Sequence, residues 1–210
     1  MSHNFITNNT TTGSFYTPRE IVDYMVEQSL VQYIKNHTNI DNEDNLRQLL
    51  LENIEQNTVN ALFDESQKIA ILESLSNLKI LDPACGSGAF PMGILQKILI
   101  LLKNLDADAS WWKKKQLSKI ENVLLRQEME KKLSTSNVDY IRKLGIIQNS
   151  IYGVDIQSIA TEISKLRIFL SLIIDENVDD TADNRGIIPL PNLEFKFVTA
   201  NALIELKQKK

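Results

Sequence analysis

The sequence predicts an α/β fold built on parallel strands, and three stretches predict it. In Leu78–Pro91 the apolar pair Ile80-Leu81 ends in Asp82, breaks into a turn at Gly86 and Gly88, and leads into an apolar helix. In Ile151–Ile156 a second short apolar run ends in Asp155. In Leu193–Val198 apolar residues alternate with polar ones, the period of a strand. A strand, a glycine loop and a helix N-terminus form the opening unit of a nucleotide-type α/β fold. Helical stretches between such strands make crossover connections, which pair the strands parallel.

Bulk properties narrow the class. The 210 residues suffice for one domain with a sizeable core and a helical appendage. Apolar content of 43% and charged content of 24% are those of an ordinary soluble globular protein. A formal charge of −4 argues against this segment gripping DNA unaided, because free-standing DNA binders are more often basic. The single cysteine excludes an internal disulfide and a multi-cysteine zinc site. Without a run of about 18 apolar residues no membrane span is expected. The polar N-terminus carries no secretory signal, so the expected location is the cytoplasm.

Taken in order, the chain opens on an Asn- and Thr-rich stretch, Met1–Thr12, expected to be mobile, with His3 solvated. Thr17 as N-cap, Pro18 at the first helical position and Glu20 at the third predict a capped helix with apolar positions Ile21, Val22, Met25, Leu30 and Tyr33. Residues 36–76 read as a polar link, with His37 exposed, and then a helical insertion. Its helices are expected around Leu46–Ile54 and Val59–Leu75, the second with a core stripe of Leu62, Ile69, Leu72 and Leu75. Met92–Leu105 is apolar on nearly every side, the mark of a buried helix. Residues 106–149 form a second helical insertion. Trp111-Trp112-Lys113-Lys114-Lys115 within it suggests either nucleic-acid contact or a solvated helix held down by tryptophans. Glu121, Glu128 and Glu130 interleave with Arg126, Lys131 and Lys132, which favours the second reading and intrahelical pairing. After Asp155 a helix with Ile159, Ile163, Leu166, Phe169, Leu170 and Ile173 is expected to pack on the sheet. The acidic stretch Asp175–Asn184 lacks cation-loop spacing, so it predicts a solvated loop and no metal.

The glycine loop limits the ligand. A dinucleotide fingerprint needs glycine at position 91, where proline stands, and an acid about 20 residues later, whereas the next strand-end acid is Asp155. No Gly-Lys-Ser/Thr follows, which excludes a phosphate loop. The expected ligand is a nucleoside without phosphates, its ribose held by a later carboxylate, and S-adenosylmethionine fits. Asp155 can accept from both ribose hydroxyls while Ile156 lies against the adenine. The alternative for Asp155 is a cap on the helix beginning near Gln157. Cys85 lies inside the loop and reads as a small buried residue, not a nucleophile.

These residues carry a resemblance. Asp82-Pro83-Ala84-Cys85-Gly86-Ser87-Gly88-Ala89-Phe90 resembles motif I of the gamma-class adenine-N6 DNA methyltransferases, and in particular the type IIG restriction–modification enzymes. Phe15-Tyr16-Thr17-Pro18 resembles their motif X, Tyr152-Gly153-Val154-Asp155-Ile156 motif II, and Thr199-Ala200-Asn201-Ala202-Leu203 motif III. The resemblance implies a partial Rossmann-like S-adenosylmethionine-dependent methyltransferase fold with helical insertions. It implies cofactor contacts from Tyr16, Thr17, Asp82, Pro83, Ala84, Cys85, Gly86, Ser87, Gly88, Phe90, Asp155, Ile156, Asn201 and Ala202, with Phe15 near the target-base pocket. Asn201 matches the position that bonds the adenine amino group, where related enzymes often carry Asp. The catalytic tetrapeptide of the family, Asn-Pro-Pro-Tyr or Phe, occurs nowhere in the sequence. No catalytic residue is therefore expected. Residues 13–210 read as the cofactor-binding part of a larger enzyme, cut before its catalytic motif, that meets double-stranded DNA through regions outside this chain. The alternatives are a modification methyltransferase of a type I or other phage-defence system, and a non-catalytic cofactor-binding module.

Overall fold

A computed structural model describes residues 17–175 and 192–204. The expectations for Met1–Thr12, Phe15 and Tyr16, and for most of the acidic loop, lie outside the described residues. Three short strands, β1 (Ile80–Asp82), β2 (Ile151–Asp155) and β3 (Phe197–Thr199), form a parallel sheet in the order β1-β2-β3. Ile80 lies beside Ile151, and Gly153 beside Phe197. The remainder is helical: α1 (Arg19–His37), α2 (Glu43–Leu49), α3 (Gln56–Leu62), α4 (Glu65–Asn77), α5 (Ala89–Leu105), α6 (Ser110–Ser118), α7 (Val123–Thr135), α8 (Val138–Asn149) and α9 (Ser158–Ile173). The class is α/β, mostly helical around a small parallel sheet.

The core follows from the apolar helix that the sequence marks. On α5, Leu95, Ile98, Leu101 and Leu102 are buried, and the helix packs against α1 on one side and α8 on the other. Ile151 and Phe197 on the sheet join the same core, whereas Leu81 and Val198, whose side chains alternate to the opposite face, stay exposed. Among the described residues no helix is long and apolar enough to cross a membrane.

Several expectations are corrected. Helix α1 starts at Arg19, because Pro18 has an extended ψ of 146° and caps only through its carbonyl, which accepts from Ile21 and Val22. Thr17 makes no side-chain cap there. Val22, Val26, Leu30, Val31 and Ile34 form its buried stripe, and Ile21 and Met25 face outward. The expected helix Val59–Leu75 breaks at Phe63-Asp64, where Asp64 caps α4 reciprocally with Gln67, and Ile71 is buried instead of Ile69. The third strand begins only at Phe197, since Leu193–Phe195 forms a 3-10 turn. Among the described side chains, Glu128 and Glu130 form no ion pair with Arg126 or Lys131, and Glu121 precedes α7. The Trp112 side chain is buried, its backbone N–H donates to Asp106 Oδ2 at 2.8 Å, and Lys115 reaches Glu73 on α4 at 2.5 Å.

Helix α9 is rotated from its expected orientation. Its larger apolar side chains Ile159, Ile163, Leu166, Leu170 and Ile173 are exposed. The face turned inward carries Thr161, Ser164, Ile168, Ser171 and Leu172. Small polar residues allow close approach: Thr161 and Thr199 share a hydroxyl–hydroxyl bond of 2.8 Å, and Ser164 lies against the glycine loop. Packing distance, not apolar area, selects this face.

Candidate functional site

The glycine loop leaves β1 at its carboxyl end, where open parallel α/β sheets bind ligands. Gly86 has φ +52° and Gly88 φ +85°, both in the left-handed region. At Gly88 there is also no room, since a Cβ would lie 2.9 Å from Ser164 Oγ. The loop is held by its surroundings. The Cys85 N–H donates to the Val154 carbonyl at 2.9 Å, and the Gly88 N–H to the Cys85 carbonyl at 2.8 Å. Ser164 Oγ donates to the Gly86 carbonyl at 2.9 Å, and Arg167 Nη1 to the Ser87 carbonyl at 2.8 Å.

Asp155 joins the two strand ends. Its Oδ2 accepts from the Gly86 N–H at 2.9 Å and its Oδ1 from the Gln157 N–H at 2.8 Å. The carboxylate thus stiffens the approach to α9 and clamps the loop, and its remaining lone pairs are left for another donor. Ile156 beside it is two-thirds exposed, at 66%. Asp82 lies close by. Its Oδ1 accepts from the Ala84 N–H at 3.1 Å, and its buried Oδ2 has no hydrogen-bond partner. Burial raises the Asp82 carboxyl above the usual carboxylate range, and the Asp155 charge adds to this. Burial, followed by the charges of Asp82 and Asp155, pushes the Cys85 thiol up to about 11. The side chain points into the core towards Gly153. A protonated, buried thiol is no nucleophile.

The structure therefore brings Asp82, Cys85, Gly86, Ser87, Gly88 and Asp155 together. Pro83, Ala84 and Phe90 lie on the same loop and helix start, with Cys85 turned away from the surface. Asn201 and Ala202 follow β3, which is tied to β2 by the Ala200 N–H donating to the Asp155 carbonyl. The Asn201 side-chain oxygen already accepts from the Leu203 N–H at 3.0 Å, so in this state it caps its own turn. Thr17 stands elsewhere, at the mouth of a cavity between α1, α5 and α9. Ser164 and Arg167 had no signal in the sequence beyond polar residues interrupting an apolar helix. A larger cavity, between α6 and α7, is lined by Lys113, Lys114 and Arg126 and includes none of the loop residues. No cluster of His, Cys, Asp and Glu among the described residues could hold a metal ion.

A glycine loop and a strand-end carboxylate at the carboxyl edge of a parallel sheet define an α/β protein with a candidate nucleoside site. Over 200 residues, 91% of this chain, the sequence is 34% identical to a protein of Methanocaldococcus jannaschii that bears the provisional name of a type II restriction enzyme and methyltransferase. The chain spans only 14% of that relative's length. No family model and no solved structure matches the chain.

Proposed function

We propose that this chain is the S-adenosylmethionine-binding part of a restriction–modification DNA methyltransferase acting on adenine N6. The observation that carries this reading is the clamp of Asp155 on Gly86, which sets a carboxylate and a left-handed glycine turn side by side at the edge of the sheet. The relative's name, which includes a methyltransferase, supports the reaction class. The donor set fits the cofactor: Asp155 retains lone pairs for ribose hydroxyls, Ile156 offers an exposed apolar surface, and Asp82 Oδ2 is a buried acceptor without a partner. When bound, S-adenosylmethionine would supply an electrophilic methyl group on sulfur. This chain's residues would bind and orient it. Adenine specificity, the gamma class, an N-terminal position in a longer enzyme and DNA contact through other regions rest on the resemblance. The cytoplasmic location rests on the polar N-terminus, and the division into insertions at 36–76 and 106–149 on the helical stretches between the strands.

Calorimetry with S-adenosylhomocysteine tests the reading. Wild-type protein is expected to bind, and Asp155→Ala to bind roughly tenfold or more weakly, since each lost charge-assisted bond contributes about 1.5–3 kcal/mol. Equal affinities would leave Asp155 as a structural clamp only, and no binding by wild type would refute the proposal. Because the sequence contains no Asn-Pro-Pro-Tyr, the purified chain is also expected to transfer no label from S-[methyl-³H]adenosylmethionine to duplex DNA.

A further inference from the structure

Helix α9 turns its small residues inward and leaves its larger ones outside. Ile159, Ile163, Leu166, Leu170 and Ile173 are between 37% and 64% exposed. They follow one another at intervals of four, three, four and three residues, the spacing of the a and d positions of a coiled coil. Ile163 and Leu170 take the a positions, and Ile159, Leu166 and Ile173 the d positions. The contacts of α9 with its own domain use another face, that of Thr161, Ser164, Ile168, Ser171 and Leu172, against α8, β2 and β3. The outward seam runs about 21 Å along the helix axis, and no described element covers it. A continuous apolar strip of this kind marks a surface that another molecule occupies.

The flanks of the seam specify the occupant. Glu162 stands at a g position and Arg167 at the e position of the next heptad, and both are exposed. Glu162 Oε1 accepts from Lys165 at 2.9 Å, and Arg167 Nη1 donates to the Ser87 carbonyl. The second carboxylate oxygen and the rest of the guanidinium fork remain for a partner. In a parallel, in-register pair a g residue faces the e residue five positions further along the other helix. A second α9 therefore sets Glu162 against Arg167 twice, the reciprocal contact that twofold symmetry requires. Antiparallel pairing sets g against g and e against e, and forms neither contact. We propose that this chain self-associates as a parallel, in-register dimer through the outward face of α9. The proposal does not depend on which ligand the glycine loop takes.

Sedimentation velocity on the whole chain tests it. Two heptads make an interface at the low end of stable ones, so between about 1 and 100 µM a monomer–dimer equilibrium with a micromolar dissociation constant is expected. Leu166→Glu, at a position 53% exposed, is expected to weaken it tenfold or more with an unchanged circular dichroism spectrum. Ile163→Lys repeats the test at the neighbouring a position. Ile159→Cys and Ile173→Cys mark opposite ends of the seam. Each alone is expected to form a covalent dimer on oxidation with diamide, because d faces d across a parallel pair, while wild type, whose Cys85 is buried, stays uncrosslinked. Crosslinking only in a mixture of the two cysteine variants would show an antiparallel pair and overturn the proposal. A monomer throughout the concentration range, or a dimer undiminished in folded Leu166→Glu and Ile163→Lys, would overturn it as well.

Discussion

At the scale of single residues, two glycines with similar backbones differ in what a side chain would cost. Gly86 has a left-handed φ but open space around its missing Cβ, whereas Gly88 has the same kind of φ and Ser164 Oγ at 2.9 Å. Gly86→Ala is expected to cost about 1–2 kcal/mol of conformational strain. Gly88→Ala should cost clearly more, because Ser164 must also move and would loosen its bond to the Gly86 carbonyl. Chemical denaturation of the two variants checks the order. Asp82 provides a pH test. Its carboxyl is raised above its ordinary value, mainly by burial, so its protonated form is favoured in the fold. Its contribution to stability is fully present below the ordinary carboxylate range and is lost as pH rises through the raised value. Asp82→Asn is therefore expected to gain stability relative to wild type at neutral pH, a gain that shrinks towards pH 3. Denaturation midpoints across that range would show it. The Cys85 thiol, pushed up to about 11, should resist alkylation by iodoacetamide in the folded protein at pH 8 and react on unfolding.

At the scale of elements, the helices around the sheet are held by a few buried anchors, and α6 is the clearest case. Its run of lysines is divided between tasks. Lys115 pairs with Glu73, and Lys119 donates to the Ser76 carbonyl, so both bind α6 to α4. Lys113 and Lys114 line the cavity shared with α7. Trp112, 1% exposed, fills the space beside α8, where a Cβ on Gly145 would come within 2.8 Å of its ring nitrogen. Trp112→Ala is expected to destabilise the protein by about 3–5 kcal/mol, whereas Trp111→Ala, at a half-buried position, should cost less. Thermal denaturation of both variants measures the contrast. On α4, Asp64→Ala removes a capping box and should cost about 1 kcal/mol.

At the scale of the whole molecule, the helices among the described residues gather on one face of the sheet. The opposite face exposes Leu81 at 62% and Val198 at 41%. Parallel sheets are ordinarily covered on both faces. The outward stripe of α9 adds Ile159, Ile163, Leu166, Leu170 and Ile173 to the apolar surface. The site lies at the carboxyl edge of this sheet, held by one carboxylate from β2 and two side chains from α9.

The sequence by itself determined the order of strand, glycine loop and apolar helix, and the parallel pairing of β1 with β2. Those features depend on local backbone chemistry and on the crossover that a helix imposes. It also marked Asp82, Gly86, Gly88 and Asp155, because glycine turns and strand-end acids leave local signatures. Only the tertiary structure decided that Asp155 holds the Gly86 N–H as well as the start of α9, since that bond joins residues 69 positions apart. Only the tertiary structure turned the small residues of α9 inward and set Arg167 beside Ser87, 80 positions away. Apolar periodicity gave the wrong face there. The loop has no side chain at Gly88 to keep α9 at a distance, so steric fit, which periodicity does not record, chose the contact.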